Sequence, residues 1–467
     1  MLQSIPQKLS WKNSFLIFFI AFVLRAGTFY VYVQHQERYC QSDSMDYHIC
    51  SFCVAHDFGM HRPDTGRPIF WRTPGYPWFL SFFYTLWGNH QTADFAQHAP
   101  AHKAAIWFQI FISSCVPLLI FLLALQLTHS YFIAWASAII SIFHLGFILA
   151  STYLLTDALA LIFFLGFLIF YFRTNLVLAA LCLSAYTWMR PMGQFVALVA
   201  LIMLLFAHVG WRKKLFNIIL FGALFFGTIF PWFVRNHELT GKWFFCPLFG
   251  LYFNVFNAPK ILSRINNIPL REAHTQLTQA AGHRTAQVTT EYRMSGNPKI
   301  VCGELVCLET AWPLIKAHPG YFLYDWCVEV CKTTFDLYSS QLVAFAGNCF
   351  KWDPLVEYLD EKFKACLYKE PLPIWMRVIA WLELVFSIWL WFGIFAGTWF
   401  FMIKPLINFK NIIPHERNTL FLWLQLGILI GCVVFQTGGF GYARLRLPIE
   451  ALLIILALTF WHKKVLT

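Results

Sequence analysis

Two carboxylates stand three residues apart in the segment Ser42-Asp43-Ser44-Met45-Asp46-Tyr47-His48, and a basic residue follows in Trp71-Arg72-Thr73-Pro74-Gly75-Tyr76-Pro77. Placed against a low-dielectric surface, acids so close together are costly. Burial raises their pKa unless a cation pairs with them. A raised carboxylate is what a general base needs to take a proton from a hydroxyl or an amine. The plain alternative is a solvated loop in which Asp43 or Ser44 caps a helix running through Tyr47 to Val54. Three further clusters have the same character. Thr156-Asp157 opens an apolar run, where an Asp also suits the helix dipole. Arg190-Pro191 separates two apolar runs. Pro231-Trp232-Phe233-Val234-Arg235-Asn236 and Tyr442-Ala443-Arg444-Leu445-Arg446-Leu447-Pro448 carry arginines near the ends of others. These guanidiniums either snorkel to headgroups or converge on a phosphate, which their forked donors fit. His48, His56, His61 and Asp57 leave a divalent metal possible as a cofactor, but no zinc-ligand spacing such as HExxH accompanies them.

The elements that position these residues are apolar helices. Of 467 residues, 58% are hydrophobic and only 12% are charged. A soluble domain has about 25% charged residues, so the solvent for these apolar faces is lipid. Apolar runs fall at 14–33, 104–127, 131–150, 155–172, 175–190, 192–209, 214–234, 374–403, 419–437 and 446–462. The expected fold is an all-α polytopic membrane protein with about 10 transmembrane helices. Arg25 and Glu383 fall inside spans, where an ionisable side chain should face the bundle. An amphipathic stretch near Trp78–Trp87 suits the interface.

Charge sets the expected orientation. With both termini inside (N-in/C-in), the inside segments carry Lys8, Lys12, Arg173, Arg212, Lys213, Lys214, Lys404, Lys410, Arg417, Lys463 and Lys464 against the single acid Glu416. That asymmetry follows the positive-inside rule and accounts for most of the formal +12. The basic residues form no single groove, so nucleic-acid binding is excluded as a reading. Two long extracytoplasmic loops carrying short helices remain. The chain divides into a catalytic module at 1–234, including the first loop at 35–103, a loop domain at 235–373, and terminal helices at 374–467. Cys40, Cys50, Cys53, Cys246, Cys302, Cys307, Cys327, Cys331, Cys349 and Cys366 lie outside the spans, an even number that suits either disulfides or scattered free thiols. The run Gly438-Gly439-Phe440-Gly441 lies between spans and reads as a tight turn or a close backbone approach.

In order and spacing these clusters resemble the membrane-embedded glycosyltransferases of the C superfamily. They look most like the branch holding protein O-mannosyltransferases and the bacterial lipid A aminoarabinose transferase. The resemblance covers about 14–236 and the last two spans. It implies a catalytic carboxylate at Asp43, four residues before Tyr47, with Asp157 as the second acidic position. It implies a donor-phosphate site at Arg72, Arg190, Arg235, Arg444 and Arg446, shaped by Asp46, Tyr47, Tyr76 and Tyr442. Residue 71 is Trp where the aminoarabinose transferases carry an acid. The implied partners are a polyprenyl-phosphate sugar donor, a lipid, glycan or protein acceptor, and membrane lipids. The implied setting is a bacterial inner membrane with the site facing the periplasm. The rival expectations are a secondary transporter or flippase, and a non-catalytic scaffold.

Overall fold

The computed structural model describes residues 10–41, 43–62, 65–88, 92–206, 209–341, 374–407, 414–439 and 441–466. Among them the chain is helical throughout, apart from turns and one isolated bridge between His61 and Pro68.

Among the described residues every expected apolar run is largely helical. Five helices or helical stretches are long and apolar enough to cross a bilayer: Trp11–Val33, Phe95–Thr128, Trp211–Thr240, Ile374–Ile407 and Thr419–Gly439. A sixth candidate is the pair α7 (Tyr131–Phe143) and α8 (Leu145–Thr152), which meet at a 51° bend. The bend falls at His144, whose backbone is extended. Three expected spans are shorter helices: α9 (Asp157–Phe172), α10 (Leu176–Met189) and α11 (Gly193–Leu205). The last is the helix Leu447–Leu466. The expected count of about ten therefore requires these shorter helices to span as well.

Local chemistry sets the helix ends. Ser130 caps α7 by accepting from the Ile133 N–H at 3.4 Å, and Asn175 caps α10 by accepting from Leu178 at 3.2 Å. The long helix α12 (Trp211–Thr240) ends at Gly241, whose positive φ lets its N–H reach His237 O at 2.7 Å. Lipid gives no hydrophobic drive for helices to associate, so close packing must supply it. Small residues do so between α9 and α10: Ala179 and Ala180 are fully buried, and a Cβ at Gly166 would stand 3.1 Å from Cys182 Sγ.

The stretch after α12 is more regular than the short helices expected. It holds α13 (Leu248–Tyr252), α14 (Ala258–Asn266), α15 (Leu270–Met294), α16 (Gly303–Ala317) and α17 (Pro319–Phe335). The 25 residues of α15 bury only the stripe Ala273, Leu277 and Ala281, spaced four apart, and leave the other faces polar. Disulfides do not form among the described residues: Cys40, Cys50, Cys53, Cys246, Cys302, Cys307, Cys327 and Cys331 are free thiols, while Cys349 and Cys366 lie outside them.

The ionisable residues inside spans have different fates. Glu383 is satisfied by backbone, accepting from the N–H groups of Tyr338 at 2.5 Å and Ser339 at 2.7 Å. Arg25 is fully buried, and its Nη1 donates to Ala21 O of its own helix at 3.1 Å.

Candidate active site

Chain segments far apart in sequence meet at one end of the bundle. The helix α3 (Ser44–Ala55) begins there, tied down by Ser44 Oγ donating to Leu154 O at 2.9 Å. Residues 153–156 are unwound between α8 and α9, which sets Asp157 at the first turn of α9. The loop carrying Arg72 is held to the end of α10 by Thr73 Oγ1, which donates to Met189 O at 3.2 Å. That loop then enters α4 (Gly75–Trp87) at a residue without a side chain, because a Cβ on Gly75 would stand 2.6 Å from Trp188 O. Arg190 follows α10 directly. Arg444 comes in on a 3-10 turn, Ala443–Arg446, before the last helix.

The result is an unbroken alternation of charge. Asp46 Oδ2 accepts from Arg72 Nε and Nη2 at 3.1 and 2.8 Å. Arg72 Nη2 also donates to Asp43 Oδ1 at 2.7 Å. Asp43 Oδ2 accepts from Arg444 Nη2 at 3.0 Å. Arg444 Nε stands 3.0 Å from Asp157 Oδ2, and Asp157 Oδ1 accepts from Arg190 Nη2 in a short contact. Three carboxylates and three guanidiniums thus run from Asp46, 36% exposed, to Asp157, 1% exposed.

Asp43 does not cap α3. Its side chain makes no cap hydrogen bond and is spent on the two arginines. Burial alone would push the Asp43 carboxyl up, but Arg72 and Arg444 outweigh it and hold Asp43 well below the ordinary carboxylate range. The raised-pKa base expected of an unpaired buried acid is therefore not present in this state. Arg444 Nε and Asp157 Oδ2 are close but misaligned, so both are buried without a hydrogen bond. Orphaned polar atoms at the centre of a charged cluster mark a place for a polar ligand or water.

Aromatic rings frame the cluster. The Arg72 guanidinium lies over Tyr47 at 5.0 Å, and Tyr47 meets Tyr76 edge-on at 5.0 Å. Tyr76 is fixed from behind by donating to Gln109 Oε1 at 2.6 Å. Arg444 lies 5.7 Å from the Tyr442 ring. Sequence reasoning missed Tyr252, at the end of α13. Burial pushes its phenol up and the Asp43 carboxylate adds to the rise, so Tyr252 belongs beside the cluster. Nothing in its neighbourhood Phe249-Gly250-Leu251 signals this.

Arg235 and Arg446, also expected at the phosphate site, do not join this chain of charge. Arg235 clamps the first loop, donating to Ile69 O at 3.3 Å and Met60 O at 3.1 Å while lying 4.4 Å from the Trp232 ring. Arg446 is turned away from Arg444. Its Nη1 caps the end of α17 at Thr333 O, 3.0 Å, and its Nε donates to Glu450 at 2.7 Å. Arg235 Nη1 and Nη2 and Arg446 Nε and Nη1 are thus engaged by the protein itself. The histidines of the first loop also serve structure. His48 lies between Tyr84 OH at 2.6 Å and Ala93 O at 2.8 Å, whereas His56 and His61 bond backbone carbonyls on their own segments. Among the described residues no three His, Cys, Asp or Glu side chains converge on a metal position.

No protein-family model matches this chain, and no curated protein sequence matches it. Solved structures do. The apo oligosaccharyltransferase of Archaeoglobus fulgidus aligns with TM-score 0.50 and 13% identity, over 98% of this chain and 52% of that one. The same archaeal enzyme, AglB, in complex with an inhibitory peptide and a dolichol-phosphate aligns with TM-score 0.47 and 13% identity, over 97% of this chain and 51% of that one. ArnT from Cupriavidus metallidurans, bound to undecaprenyl phosphate, aligns with TM-score 0.37 and 12% identity, over 95% and 78%. The chain spans about half the length of the archaeal enzyme. At such identities the likeness is one of fold. The chain shares its fold with the part of the Archaeoglobus fulgidus oligosaccharyltransferase that it aligns with.

Proposed function

We propose that this chain is a glycosyltransferase that takes a sugar from a polyprenyl-phosphate donor, undecaprenyl or dolichyl, and passes it to a lipid, glycan or protein acceptor. The observation that carries the reading is Asp43 bridging Arg72 and Arg444, at 2.7 and 3.0 Å, inside a fold used for such transfers.

The chemistry is a single displacement with inversion. A lone pair on the acceptor hydroxyl or amine attacks the anomeric carbon. The bond from that carbon to the phosphate oxygen breaks, and its electron pair leaves on the phosphate. The donor phosphodiester carries one negative charge and the departing monoester two, so charge develops where Arg72 and Arg444 stand. Stabilising that charge is the arginines' contribution. As the phosphate draws on them, Asp43 loses part of the positive field that keeps it a weak base. It then accepts the acceptor proton. Donor binding thus arms the base, and an acceptor alone meets an inert carboxylate. Asp157, held by Arg190, fixes Arg444 from the buried side.

The cluster faces the non-cytoplasmic side in this reading, with N-in/C-in topology and a bacterial inner membrane as the setting. The support is the basic residues flanking the opposite ends of the apolar runs. The test is transfer from a panel of radiolabelled polyprenyl-phosphate sugars by the purified chain with a mixed acceptor extract. Product with inverted anomeric configuration supports the reading. A protein that fails to bind any polyprenyl phosphate belongs to the transporter or scaffold class instead.

A further inference from the structure

Arg444 is delivered to the cluster by a stretch that other elements hold in place. Gly438, Gly439 and Gly441 lie just before it, and each is pressed by a residue of the helices that follow α12. A Cβ on Gly438 would fall inside the Trp326 ring of α17, and a Cβ on Gly441 would overlap Glu329 O of the same helix. At Gly439 a Cβ would meet Tyr252 Cβ at 3.4 Å and Asn257 Oδ1 at 3.8 Å. Tyr252 precedes and Asn257 closes a single π-helical turn, Phe253–Asn257, a local form common at functional sites.

The backbone of the same stretch is gripped three times. Asn257 Nδ2 donates to Gly438 O at 3.4 Å, the Gly441 N–H donates to Glu329 Oε2 at 2.8 Å, and the Ala443 N–H donates to Asp336 Oδ2 at 3.1 Å. The next residue is Arg444, whose guanidinium stands 3.0 Å from Asp43 on one side and 3.0 Å from Asp157 on the other. The Trp326 ring has little freedom to yield. Phe322 and Phe435 each stand 5.3 Å from it, and Phe253 stands at 6.2 Å.

Stability alone does not account for this arrangement. Asn257 is fully buried with Oδ1 unpartnered, and Trp326 is 7% exposed with Nε1 unpartnered. Buried polar atoms left unpaired cost free energy, and apolar side chains of similar size would fill the space without that cost. We propose that Asn257 and Trp326 are positioning residues for Arg444: they fix the glycine turn, and the turn sets the guanidinium between Asp43 and Asp157. The helices that follow α12 thereby act on the cluster without touching the reacting atoms. The consequence for transfer rests on the glycosyltransferase reading; the positioning itself does not.

The experiment takes two readings on the purified full chain in micelles. Phenylglyoxal modification of Arg444, mapped by mass spectrometry, reports its placement without any activity. Arg444 is 13% exposed and ion-paired, so the wild type is modified slowly. Gly438→Ala forces the turn off the Trp326 ring and speeds modification about fivefold. Asn257→Ala acts in the same direction by less. Adding Trp326→Leu to Gly438→Ala gives the methyl group room and reverses the gain. Transfer from a polyprenyl-phosphate sugar falls about tenfold or more in Gly438→Ala. In an Arg444→Gln background the same substitution changes transfer by less than about twofold, because both act through one group. An equal fall in both backgrounds makes the turn merely structural and overturns the proposal. So does unchanged Arg444 modification in Gly438→Ala and Asn257→Ala that both still melt cooperatively, or a gain that the double variant keeps. A wild type that transfers nothing, with Arg444 modification responding as expected, overturns the transferase reading and leaves the positioning standing.

Discussion

Asp43 and Arg444 are 401 residues apart in the chain and 3.0 Å apart in space. Two residues further on, Arg446 points the other way, into Glu450 and the end of α17. The account separates them sharply. Arg444→Gln should lower transfer about 100-fold or more, as loss of a charge-stabilising donor does, with the melting transition kept. Arg446→Met should cost about 3–5 kcal/mol of stability, because Glu450 is left as a buried acid without its guanidinium. Thermal melts and single-turnover transfer on both variants check this.

Arg235 holds the first loop at Met60 O and Ile69 O and stands outside the chain of charge around Asp43. Arg235→Gln strands Met60 O and Ile69 O, at a cost of about 1–3 kcal/mol, and should leave polyprenyl-phosphate affinity within about threefold. Arg72→Gln should do the reverse, weakening the lipid phosphate by tenfold or more for about 1.5–3 kcal/mol of lost charge-assisted bonding. Equal losses of phosphate affinity in the two variants would contradict the placement.

Gly75 sets how closely the Arg72 loop approaches α10. Gly75→Ala puts a methyl group against Trp188 O at 2.6 Å. Overpacking of this kind costs about 1–3 kcal/mol, and the loop must lift away from Met189. Transfer should fall more steeply than stability does, read as a kcat loss in protein that still melts cooperatively.

Acid should loosen the first loop through His48. Burial holds its imidazole down to about 4, against the pull of Ala93 O and Asp94 and with His98 adding to the drop. The unfolded chain protonates His48 near 6.5, so between these values it binds more protons than the folded chain. The stability that His48 contributes is whole above about pH 6.5 and is lost as pH falls towards 4, about 3 kcal/mol in all. His48→Gln should flatten the acid limb of melting temperature against pH between 7 and 4. An unchanged limb would assign the acid sensitivity to another group.

Much of this site could be read from residue order. Asp43, Arg72, Asp157, Arg190 and Arg444 were singled out by type and position, and they are the five that join Asp46 in one chain of charge. Each has a neutral explanation taken alone, as a cap, a dipole partner or a snorkelling arginine, and it is their order and spacing along the chain that set them apart. Direction was not legible. Arg444 and Arg446 share one 3-10 turn, and only tertiary packing decides which faces the cluster. Nor were partnerships with backbone, since the N–H groups of Tyr338 and Ser339 that satisfy Glu383 carry no side-chain signature. Span number was legible only as apolar runs: α9, α10 and α11 are shorter than the other spans, and α9 is buried on most sides.

The most direct test of the central claim is Asp43→Asn, read for binding and for transfer in the same preparation. Asparagine keeps the shape and removes the negative charge that competes with the donor phosphate for Arg72 and Arg444. The account predicts polyprenyl-phosphate binding at least as tight as in the wild type, with transfer reduced about 100- to 10,000-fold. Transfer at the wild-type rate, or phosphate binding lost together with transfer, would contradict it.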